Sequence, residues 1–528
     1  MSGSSASDAV GIVGAGTMGA GIAQVAALAG HPVLILDAAP GAADAAVRRI
    51  CDAMRALSRR ELLALEEAQA ASGRLSSVAS VDELADCVVV VEAAAEDLGV
   101  KQDLLAALEQ VVGPDTLLAT NTSSLSVTSI GRALKRAERL VGLHFFNPAP
   151  RMKLVEVVRG ESSGPAYVEL AVNLARSWGK VAVVCASTPG FIVNRVARPF
   201  HGEAQRLVED RSSDPATIDA ILREAGGFPL GPFELADLIG HDVNLSVGRS
   251  VWEQTFHDPR YAPTVWQQRL VDAGRLGRKT GRGAYCYDSP GGHAGGPVVT
   301  DPATGVAPEP WTAPRHLPPK YVVYQEGWNV MTPLLERAKD AGVHVLGAQP
   351  EDEDPWADDG CADHGGVRLP SGGRLLETTG QTAASIGNDV VMLDWAHDAG
   401  SATRVAMAAA PGASPDTVAQ AIGLVQAAGL EVSLVDDTPG LVVARTVAML
   451  MNEAAEVVQR GEASAADVDL AMKLGTGYPS GPLTWADRIG PPCVVEVLHA
   501  LSDAVPTGRY RVGRGLEIAA ERGSPLHA

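Results

Sequence analysis

The sequence predicts an α/β protein with a doubly wound, mainly parallel sheet, followed by an all-α domain and by a shortened copy of both. Apolar strand-like runs alternate with alanine-rich stretches as far as residue 186, the pattern then becomes helical, and the second half repeats part of the first. A chain of 528 residues is also too long for one hydrophobic core. The predicted segments are an α/β domain (8–186), a helical domain (187–288), a linker (289–319), a degenerate α/β segment (320–436) and a second helical domain (437–520).

Seven apolar runs of strand length define the first domain. They are rich in Val, Leu and Ile, and segments of helical length separate most of them, as expected for strands that helices cover on both faces. The predicted strands are 10–13, 33–36, 87–91, 116–119, 140–143, 154–158 and 181–184.

The first strand leads into a glycine motif typical of dinucleotide-binding sites. Gly14, Gly16 and Gly19 have the G-x-G-x-x-G spacing, and a helical stretch and a second strand ending in Asp37 follow them. This order is the signature of a Rossmann unit, in which the glycines permit a tight turn, close approach of the pyrophosphate and close packing of the helix. The Asp37 carboxylate is expected to bind the ribose hydroxyls and repel a 2′-phosphate, which favours NAD over NADP. The alternative is a glycine turn that binds no nucleotide.

The pattern changes twice after the first domain. Helical stretches are predicted at 191–209, 217–225 and 233–250, which indicates a separate all-α domain. Glycine and proline then dominate residues 289–319, as in a linker.

The second half repeats the first at an offset of 250 residues, the distance from Thr188 to Thr438. The offset needs no gap and also relates Arg195 to Arg445. The polar residues that chemistry would need are replaced, since His144, Asn147, Glu156 and Asn194 correspond to Asp394, His397, Ala406 and Ala444. The second copy also lacks a G-x-G-x-x-G motif. We therefore expect a truncated Rossmann-like remnant without catalytic activity.

Charge and composition exclude several classes of partner. A net charge of −20 would repel nucleic acid and anionic membranes. No apolar stretch is long enough to span a bilayer and the first residues have no signal-peptide pattern, so a cytoplasmic protein is expected. The six cysteines are scattered without C-x-x-C spacing and are interpreted as buried thiols, so neither a metal site nor a disulfide framework is predicted.

A histidine and a glutamate form the candidate catalytic pair. His144 ends the strand 140–143, at the edge where open α/β sheets bind ligands. Glu156 lies within the apolar strand 154–158, where a carboxylate is costly unless it is paired. The pair would let Glu156 fix the imidazole tautomer and stabilise an imidazolium. A strand-end histidine with a purely structural role is the alternative.

The sequence resembles the L-3-hydroxyacyl-CoA dehydrogenase family in several separate blocks. These blocks occur in the family's order between residues 8 and 288, and together they are far more specific than any one of them. They are GAGTMGAGIA (14–23), VVEA (90–93), NTSSL (121–125), HFFNP (144–148), STPGFIVNR (187–195), GPF (231–233) with Asp237, and GRKTGRG (277–283).

The resemblance implies a role for each site residue. His144 would remove the proton from the substrate 3-hydroxyl with Glu156 as its orienting partner, and Ser123 and Asn194 would bind the reacting oxygen and thioester region. Loop capping by Ser123 and a helix-start contact by Asn194 are the structural alternatives. The implied cofactor residues are Gly14, Gly16, Thr17, Met18, Gly19, Asp37, Glu96, Lys101, Asn147 and Lys279. A surface charge pair between Lys101 and Glu96 is the alternative for those two.

The duplicated architecture is similar to that of longer family members from bacterial phenylacetate catabolism, which act on 3-hydroxyadipyl-CoA. The resemblance therefore implies NAD-dependent oxidation of an (S)-3-hydroxyacyl-CoA to the 3-oxoacyl-CoA, with the adipyl thioester as substrate. A 3-hydroxybutyryl-CoA dehydrogenase of fatty-acid or polyhydroxybutyrate metabolism is the nearer alternative, and a non-catalytic NAD- or acyl-CoA-binding protein is the remote one. Because the helical domain forms the dimer interface in short members, either a homo-oligomer or an intrachain pseudo-dimer is expected.

Overall fold

The computed structural model describes residues 8–287, 309–325, 330–347 and 366–527. Part of the predicted linker, residues 289–308, and Cys361 lie outside them. The chain divides into two compact units, the first containing Met1–Arg195 and Arg460–Thr476 and the second containing Val196–Gln459 and Gly477–Ala528. A short segment of the second repeat therefore belongs to the unit that contains the glycine motif.

The first unit contains a sheet of eight strands among its described residues. The strands are β1 (Val10–Val13), β2 (Val33–Leu36), β3 (Leu75–Ser77), β4 (Val89–Glu92), β5 (Leu117–Thr120), β6 (Leu140–Phe145), β7 (Leu154–Arg159) and β8 (Val181–Ala186). Their order in the sheet is β3-β2-β1-β4-β5-β6-β7-β8. Neighbouring strands are parallel except for β6 and β7, which are antiparallel and place His144 directly opposite Glu156. The predicted doubly wound, mainly parallel sheet is confirmed, with β3 as an edge strand that the sequence pattern did not indicate.

Helices cover this sheet because their apolar residues recur at helical spacing. In the second helix, Ala43, Ala46, Ile50 and Met54 form one buried face, and the arginines point elsewhere. The helices of the first unit are α1 (Thr17–Leu28), α2 (Ala42–Arg59), α3 (Leu65–Ser72), α4 (Leu98–Val111), α5 (Val127–Gly131), α6 (Pro165–Ser177) and α17 (Ala465–Thr476), and a short helix, α7 (Val193–Val196), ends at the boundary.

The second unit contains a sheet of seven strands in the part of the chain that is described. They are β9 (Tyr321–Gln325), β10 (His344–Gly347), β11 (Gly366–Arg368), β12 (Arg374–Glu377), β13 (Val390–Leu393), β14 (Arg404–Ala409) and β15 (Glu431–Leu434). Their order is β10-β9-β11-β12-β13-β14-β15. Strand β11 is antiparallel to both of its neighbours. The antiparallel pair β13 and β14 corresponds to β6 and β7, so the predicted Rossmann-like remnant is present.

The helices of the second unit include both helical repeats. They are α8 (Arg198–Glu209), α9 (Pro215–Glu224), α10 (Pro232–Ile239), α11 (His241–Gln254), α12 (Val265–Asp272), α13 (Met331–Asp340), α14 (Ala383–Ile386), α15 (Pro415–Ala427), α16 (Val443–Gln459), α18 (Pro482–Ile489), α19 (Pro491–Ala504) and α20 (Arg514–Arg522). Local sequence sets their ends; for example, Asp214 accepts hydrogen bonds from Ala216 and Thr217 and Pro215 occupies the first helical position.

The two helical repeats pack against each other within the second unit, through α8 and α16. Two buried glutamates at equivalent positions, Glu203 and Glu453, anchor this contact. Glu203 accepts hydrogen bonds from Arg509 Nε at 2.7 Å and Tyr510 Oη at 2.8 Å, and from Arg445 Nε at 2.7 Å. Glu453 accepts from Arg260 Nη1 at 3.2 Å and Tyr261 Oη at 2.5 Å. Each repeat thus supplies an Arg-Tyr pair to the glutamate of the other.

Within the described residues, no helix combines the length and the apolar composition that crossing a membrane requires.

Candidate active site

The glycine loop has the geometry that a dinucleotide requires. Gly14 has φ of +107°, and a Cβ there would lie 2.4 Å from the Ala93 carbonyl oxygen. A Cβ on Gly19 would lie 1.8 Å from the Gly14 carbonyl oxygen, so only glycine lets α1 pack this closely on the loop. A Cβ on Gly16 would meet no protein atom within 4 Å. Gly16 and Thr17 are exposed at the start of α1, and Met18 is half-buried beside them. The residues present therefore fit a pyrophosphate at the helix N-terminus.

Asp37 lies at the end of β2 and supports the same loop. Its Oδ2 accepts a hydrogen bond from Ala15 N at 2.6 Å and its Oδ1 accepts from Ala39 N at 2.8 Å. Arg49 of α2 donates to the Ala15 carbonyl oxygen at 2.8 Å. The expected position of the acid beside the glycines is observed, and these bonds orient it before any ribose binds.

Lys101 is buried, and its surface-pair interpretation is wrong. Its side chain is 1% exposed and its Nζ lies 2.7 Å from Glu92 Oε1 and 3.4 Å from Glu96 Oε2. Glu92, itself fully buried, also accepts from Ala94 N at 2.6 Å and Thr120 Oγ1 at 2.6 Å. Sequence reasoning missed Glu92 as a partner, although a carboxylate that ends an apolar strand is the signal that would have found it.

Glu96 organises the loop that carries Ser123. Its Oε1 accepts from Thr122 Oγ1 at 2.7 Å, Ser123 N at 2.9 Å and Ser124 N at 3.1 Å. Burial acts to raise the pKa of Glu96, but the hydrogen bonds and the Lys101 charge outweigh it and lower the pKa below its ordinary value. Glu96 is therefore ionised and holds Ser123 at the edge of the sheet where β4 and β5 end.

His144 and Glu156 form the hydrogen-bonded pair that the sequence predicts. His144 Nδ1 lies 2.6 Å from Glu156 Oε2, and both side chains are buried. The other carboxylate oxygen, Oε1, accepts from Ile192 N at 3.1 Å and Val193 N at 2.9 Å. A carboxylate facing Nδ1 fixes a proton on that atom and leaves Nε2 as the basic nitrogen.

The turn after β8 completes the surroundings of the imidazole. The Phe191 ring lies edge-on to His144 with the centroids 5.7 Å apart, and the Phe146 ring is tilted at 4.5 Å. Asn194 donates from Nδ2 to the Ser123 carbonyl oxygen at 3.2 Å. The structure thus brings together His144, Glu156, Ser123 and Asn194, which come from four different parts of the first unit.

Two further predicted cofactor residues are Asn147 and Lys279. Asn147 is exposed, three residues after His144. Lys279 belongs to the second unit, where its Nζ pairs with Asp242 at 2.5 Å. Their roles stay predictions.

The equivalent position in the second repeat carries an acid without a histidine opposite it. Asp394, which corresponds to His144, accepts from Val442 N at 2.9 Å, Val443 N at 2.7 Å and Ala444 N at 3.0 Å. Burial raises its pKa to about 6. Asp394 thus binds the helix start that is equivalent to the one bound by Glu156 in the first repeat. Ala406 occupies the position that corresponds to Glu156.

A Rossmann sheet with an open glycine loop and a buried histidine–carboxylate pair at its strand ends defines a nucleotide-dependent dehydrogenase. Three family descriptions match the chain: "3-hydroxyacyl-CoA dehydrogenase, NAD binding domain" at residues 9–188, "3-hydroxyacyl-CoA dehydrogenase, C-terminal domain" at 190–287 and 440–523, and "3-hydroxybutyryl-CoA dehydrogenase reduced Rossmann-fold domain" at 375–439. The chain belongs to the 3-hydroxyacyl-CoA dehydrogenase family of NAD-dependent oxidoreductases.

Individual relatives agree with this assignment. The chain is 39% identical over 507 residues to the 3-hydroxyadipyl-CoA dehydrogenase of Escherichia coli K12, with 95% of each chain covered. A crystal structure described as 3-hydroxybutyryl-CoA dehydrogenase from Escherichia coli K12 has a TM-score of 0.81 at 37% identity, with 98% of each chain covered. The pig mitochondrial hydroxyacyl-coenzyme A dehydrogenase is 37% identical over 282 residues, which are 52% of this chain and 90% of that protein. The predicted family, fold class and cofactor are confirmed.

Proposed function

We propose that this enzyme oxidises (S)-3-hydroxyadipyl-CoA to 3-oxoadipyl-CoA, with His144 as the base and Glu156 as its orienting partner. The observation that supports these roles is the 2.6 Å hydrogen bond between His144 Nδ1 and Glu156 Oε2. It leaves Nε2 free to accept the proton of the substrate 3-hydroxyl. Glu156 then stabilises the imidazolium through the same bond.

The reaction balances as loss of one proton and one hydride from the substrate. The C3–O–H bond gives its proton to His144 Nε2, and the electron pair that remains forms the C3 carbonyl as the C3–H bond breaks. Acceptance of that hydride is the chemistry that NAD supplies when bound. His144 returns its proton to solvent after the product leaves.

Ser123 and Asn194 are proposed to bind the substrate oxygen atoms. Glu96 holds Ser123 through the backbone, and Asn194 contacts the Ser123 carbonyl oxygen, so both polar side chains are fixed before substrate binds. Donors held in advance favour the developing carbonyl because they need no reorganisation during the reaction.

The proposed cofactor contacts come from the glycine loop and its neighbours. The loop would bind the pyrophosphate, and Asp37 would bind the adenosine ribose. Lys101 and Glu96 are further proposed cofactor contacts, and the buried Glu92 fixes Lys101 at 2.7 Å. The remaining proposed contacts are Thr17, Met18, Asn147 and Lys279.

The adipyl substrate is proposed from the relative that matches along 95% of the chain and is named for that substrate. The structure described as a 3-hydroxybutyryl-CoA dehydrogenase supports the shorter thioester as the second candidate. We further propose a cytoplasmic enzyme that acts as an intrachain pseudo-dimer, because its two helical repeats already bury each other's polar groups. Sedimentation of the purified protein as a monomer would support the last point, and a stable homodimer would contradict it.

The deciding experiment compares kcat/KM for NADH formation with (S)-3-hydroxyadipyl-CoA and (S)-3-hydroxybutyryl-CoA. A clear preference for the adipyl thioester supports the proposal, and a preference for the butyryl thioester replaces the substrate but keeps the mechanism. His144→Gln should lose about a hundredfold or more in kcat with the better substrate. No turnover of either thioester by the wild-type protein would favour a non-catalytic binding protein.

A further inference from the structure

We propose that Glu462, a residue of the second repeat, positions the catalytic turn of the first repeat. The catalytic turn is defined here as residues 187–195. The inference rests on the proposed function of His144 and Glu156, and it gives the inactive repeat a direct part in turnover.

The catalytic turn contributes three separate contacts to the site. Its backbone N–H groups at Ile192 and Val193 bind Glu156 Oε1 at 3.1 and 2.9 Å. The Phe191 ring lies against the His144 imidazole. Asn194 reaches the Ser123 carbonyl oxygen. A shift of this turn would therefore alter both the acid–base pair and the substrate-binding loop.

Glu462 holds the catalytic turn at both of its ends. Its carboxylate oxygen Oε2 accepts from the guanidinium of Arg195, at the last position of the turn, and from Thr188 Oγ1 at 3.2 Å, near the first. Its backbone carbonyl accepts from Ala186 N, at the end of β8, at 2.7 Å. Arg195 is 2% exposed and the Glu462 side chain is 10% exposed, so this ion pair is shielded from water and salt.

The equivalent contact in the other repeat lacks the carboxylate. At the offset of 250 residues, Ala186 corresponds to Asp436 and Glu462 corresponds to Ser212. Asp436 N donates to the Ser212 carbonyl oxygen at 3.0 Å, so the backbone hydrogen bond is present in both repeats. Arg445, which corresponds to Arg195, instead bonds Glu203. The backbone contact therefore does not depend on a carboxylate. Of the two equivalent residues, Ser212 and Glu462, the one with a carboxylate lies beside the turn that contacts the acid–base pair.

Replacing the Glu462 carboxylate should affect the chemical step more than cofactor binding. In Glu462→Gln the amide oxygen can still accept from Arg195 and Thr188, but it lacks the negative charge and holds the Arg195 guanidinium less tightly, which loosens the N–H donors on Glu156 and so the orientation of His144. NAD contacts of the glycine loop do not involve this turn.

The test compares Glu462→Gln, Glu462→Asp and the control Glu224→Gln in the full-length protein. Glu224 is a matched control because it pairs with Arg404 at 3.0 Å, so that a glutamate of one repeat again contacts an arginine of the other, but at a strand of the second repeat and away from the catalytic turn. A weakened charged hydrogen bond between Glu156 and the imidazolium in the transition state predicts that Glu462→Gln lowers kcat about tenfold or more. Its KM for NAD should stay unchanged. Glu462→Asp should recover part of kcat, and Glu224→Gln should keep the wild-type kcat.

The outcomes separate positioning from simple stabilisation. A Glu462→Gln enzyme with wild-type kcat, and a loss of thermal midpoint equal to that of Glu224→Gln, would overturn the inference. If Glu462→Gln does not fold, Thr188→Val removes the 3.2 Å bond to the same carboxylate and provides the same comparison. Absence of NADH formation by the wild-type protein would overturn the proposed function, and this inference with it.

Discussion

Glu156→Gln tests the proposed acid–base pair with the smallest change of shape. The amide oxygen of glutamine can still accept from Ile192 N and Val193 N, so the catalytic turn keeps its contacts. The amide nitrogen then faces His144 Nδ1, which is 2.6 Å from the carboxylate in the wild-type protein. Because an amide N–H donates, Nδ1 must accept, and the ring proton moves to Nε2. The imidazole is then in the wrong tautomer to act as a base.

The size of the effect follows from the bond that is lost. A hydrogen bond to a charged group contributes about 1.5–3 kcal/mol. At about 1.4 kcal/mol for each tenfold change in rate, loss of the bond to the imidazolium predicts a fall in kcat of about 10- to 150-fold. The tautomer change adds to this loss. The thermal midpoint should change little because the backbone donors stay paired.

The assay is steady-state NADH formation by the wild-type protein, Glu156→Gln and the control Asp394→Asn. Asp394 has the same backbone-binding role in the second repeat, where it accepts from the N–H groups of Val442, Val443 and Ala444. No histidine faces it, because Ala406 lies opposite Asp394. We expect Asp394→Asn to keep kcat. A Glu156→Gln enzyme within about threefold of wild-type kcat, or an equal loss in Asp394→Asn, would refute the acid–base pair.

Three further predictions concern the cofactor loop and two buried ion pairs. Gly19→Ala should lower the thermal midpoint because its methyl group would lie 1.8 Å from the Gly14 carbonyl oxygen. The methyl group of Gly16→Ala would meet no protein atom within 4 Å, so this variant should keep the thermal midpoint and weaken NAD binding in a fluorescence titration. Lys101→Met leaves Glu92 buried without its cation and should lower the free energy of unfolding in denaturant by about 3–5 kcal/mol. The double variant that also carries Glu92→Gln should lose less, because no unpaired charge is then buried. Burial acts to raise the pKa of Glu203, but Arg509 and Arg445 outweigh it and hold that pKa well below 4.5. The stabilisation is therefore present above pH 4.5 and is lost as pH falls. Below that pH the thermal midpoint of the wild-type protein should fall more steeply than that of Glu203→Gln, and parallel curves would contradict the assignment.

Features that depend on local spacing were predictable. The glycine loop, the strand-end His144 and the carboxylate of Glu156 were located because each lies within or beside a short apolar run whose structure its neighbours determine. The offset between the repeats was equally visible because it needs no gap. The antiparallel pairing that sets His144 opposite Glu156 follows from the short connection between β6 and β7.

Features that depend on a distant partner were not predictable. Strand β3 has one buried residue, Leu75, followed by two exposed serines, and it forms because the edge of β2 offers hydrogen-bond partners. Lys101 follows Glu96 by five residues, which left a surface charge pair open as an alternative, yet Lys101 is buried beside Glu92. The residues around Lys101 in the sequence do not report its burial, since the contacts that exclude water come from other elements.

The sequence by itself determined the dinucleotide fold, the candidate acid–base residues and the replacement of those residues in the second repeat. The tertiary structure decided what the second repeat does instead. Asp394 binds the helix start of the second repeat, as Glu156 does in the first. Glu462 joins the two ends of the catalytic turn through Arg195 and Thr188. These contacts join residues separated by 48 to 274 positions in the chain. Spacing along the sequence cannot encode them, because only the packing of complete elements brings such residues within hydrogen-bonding distance.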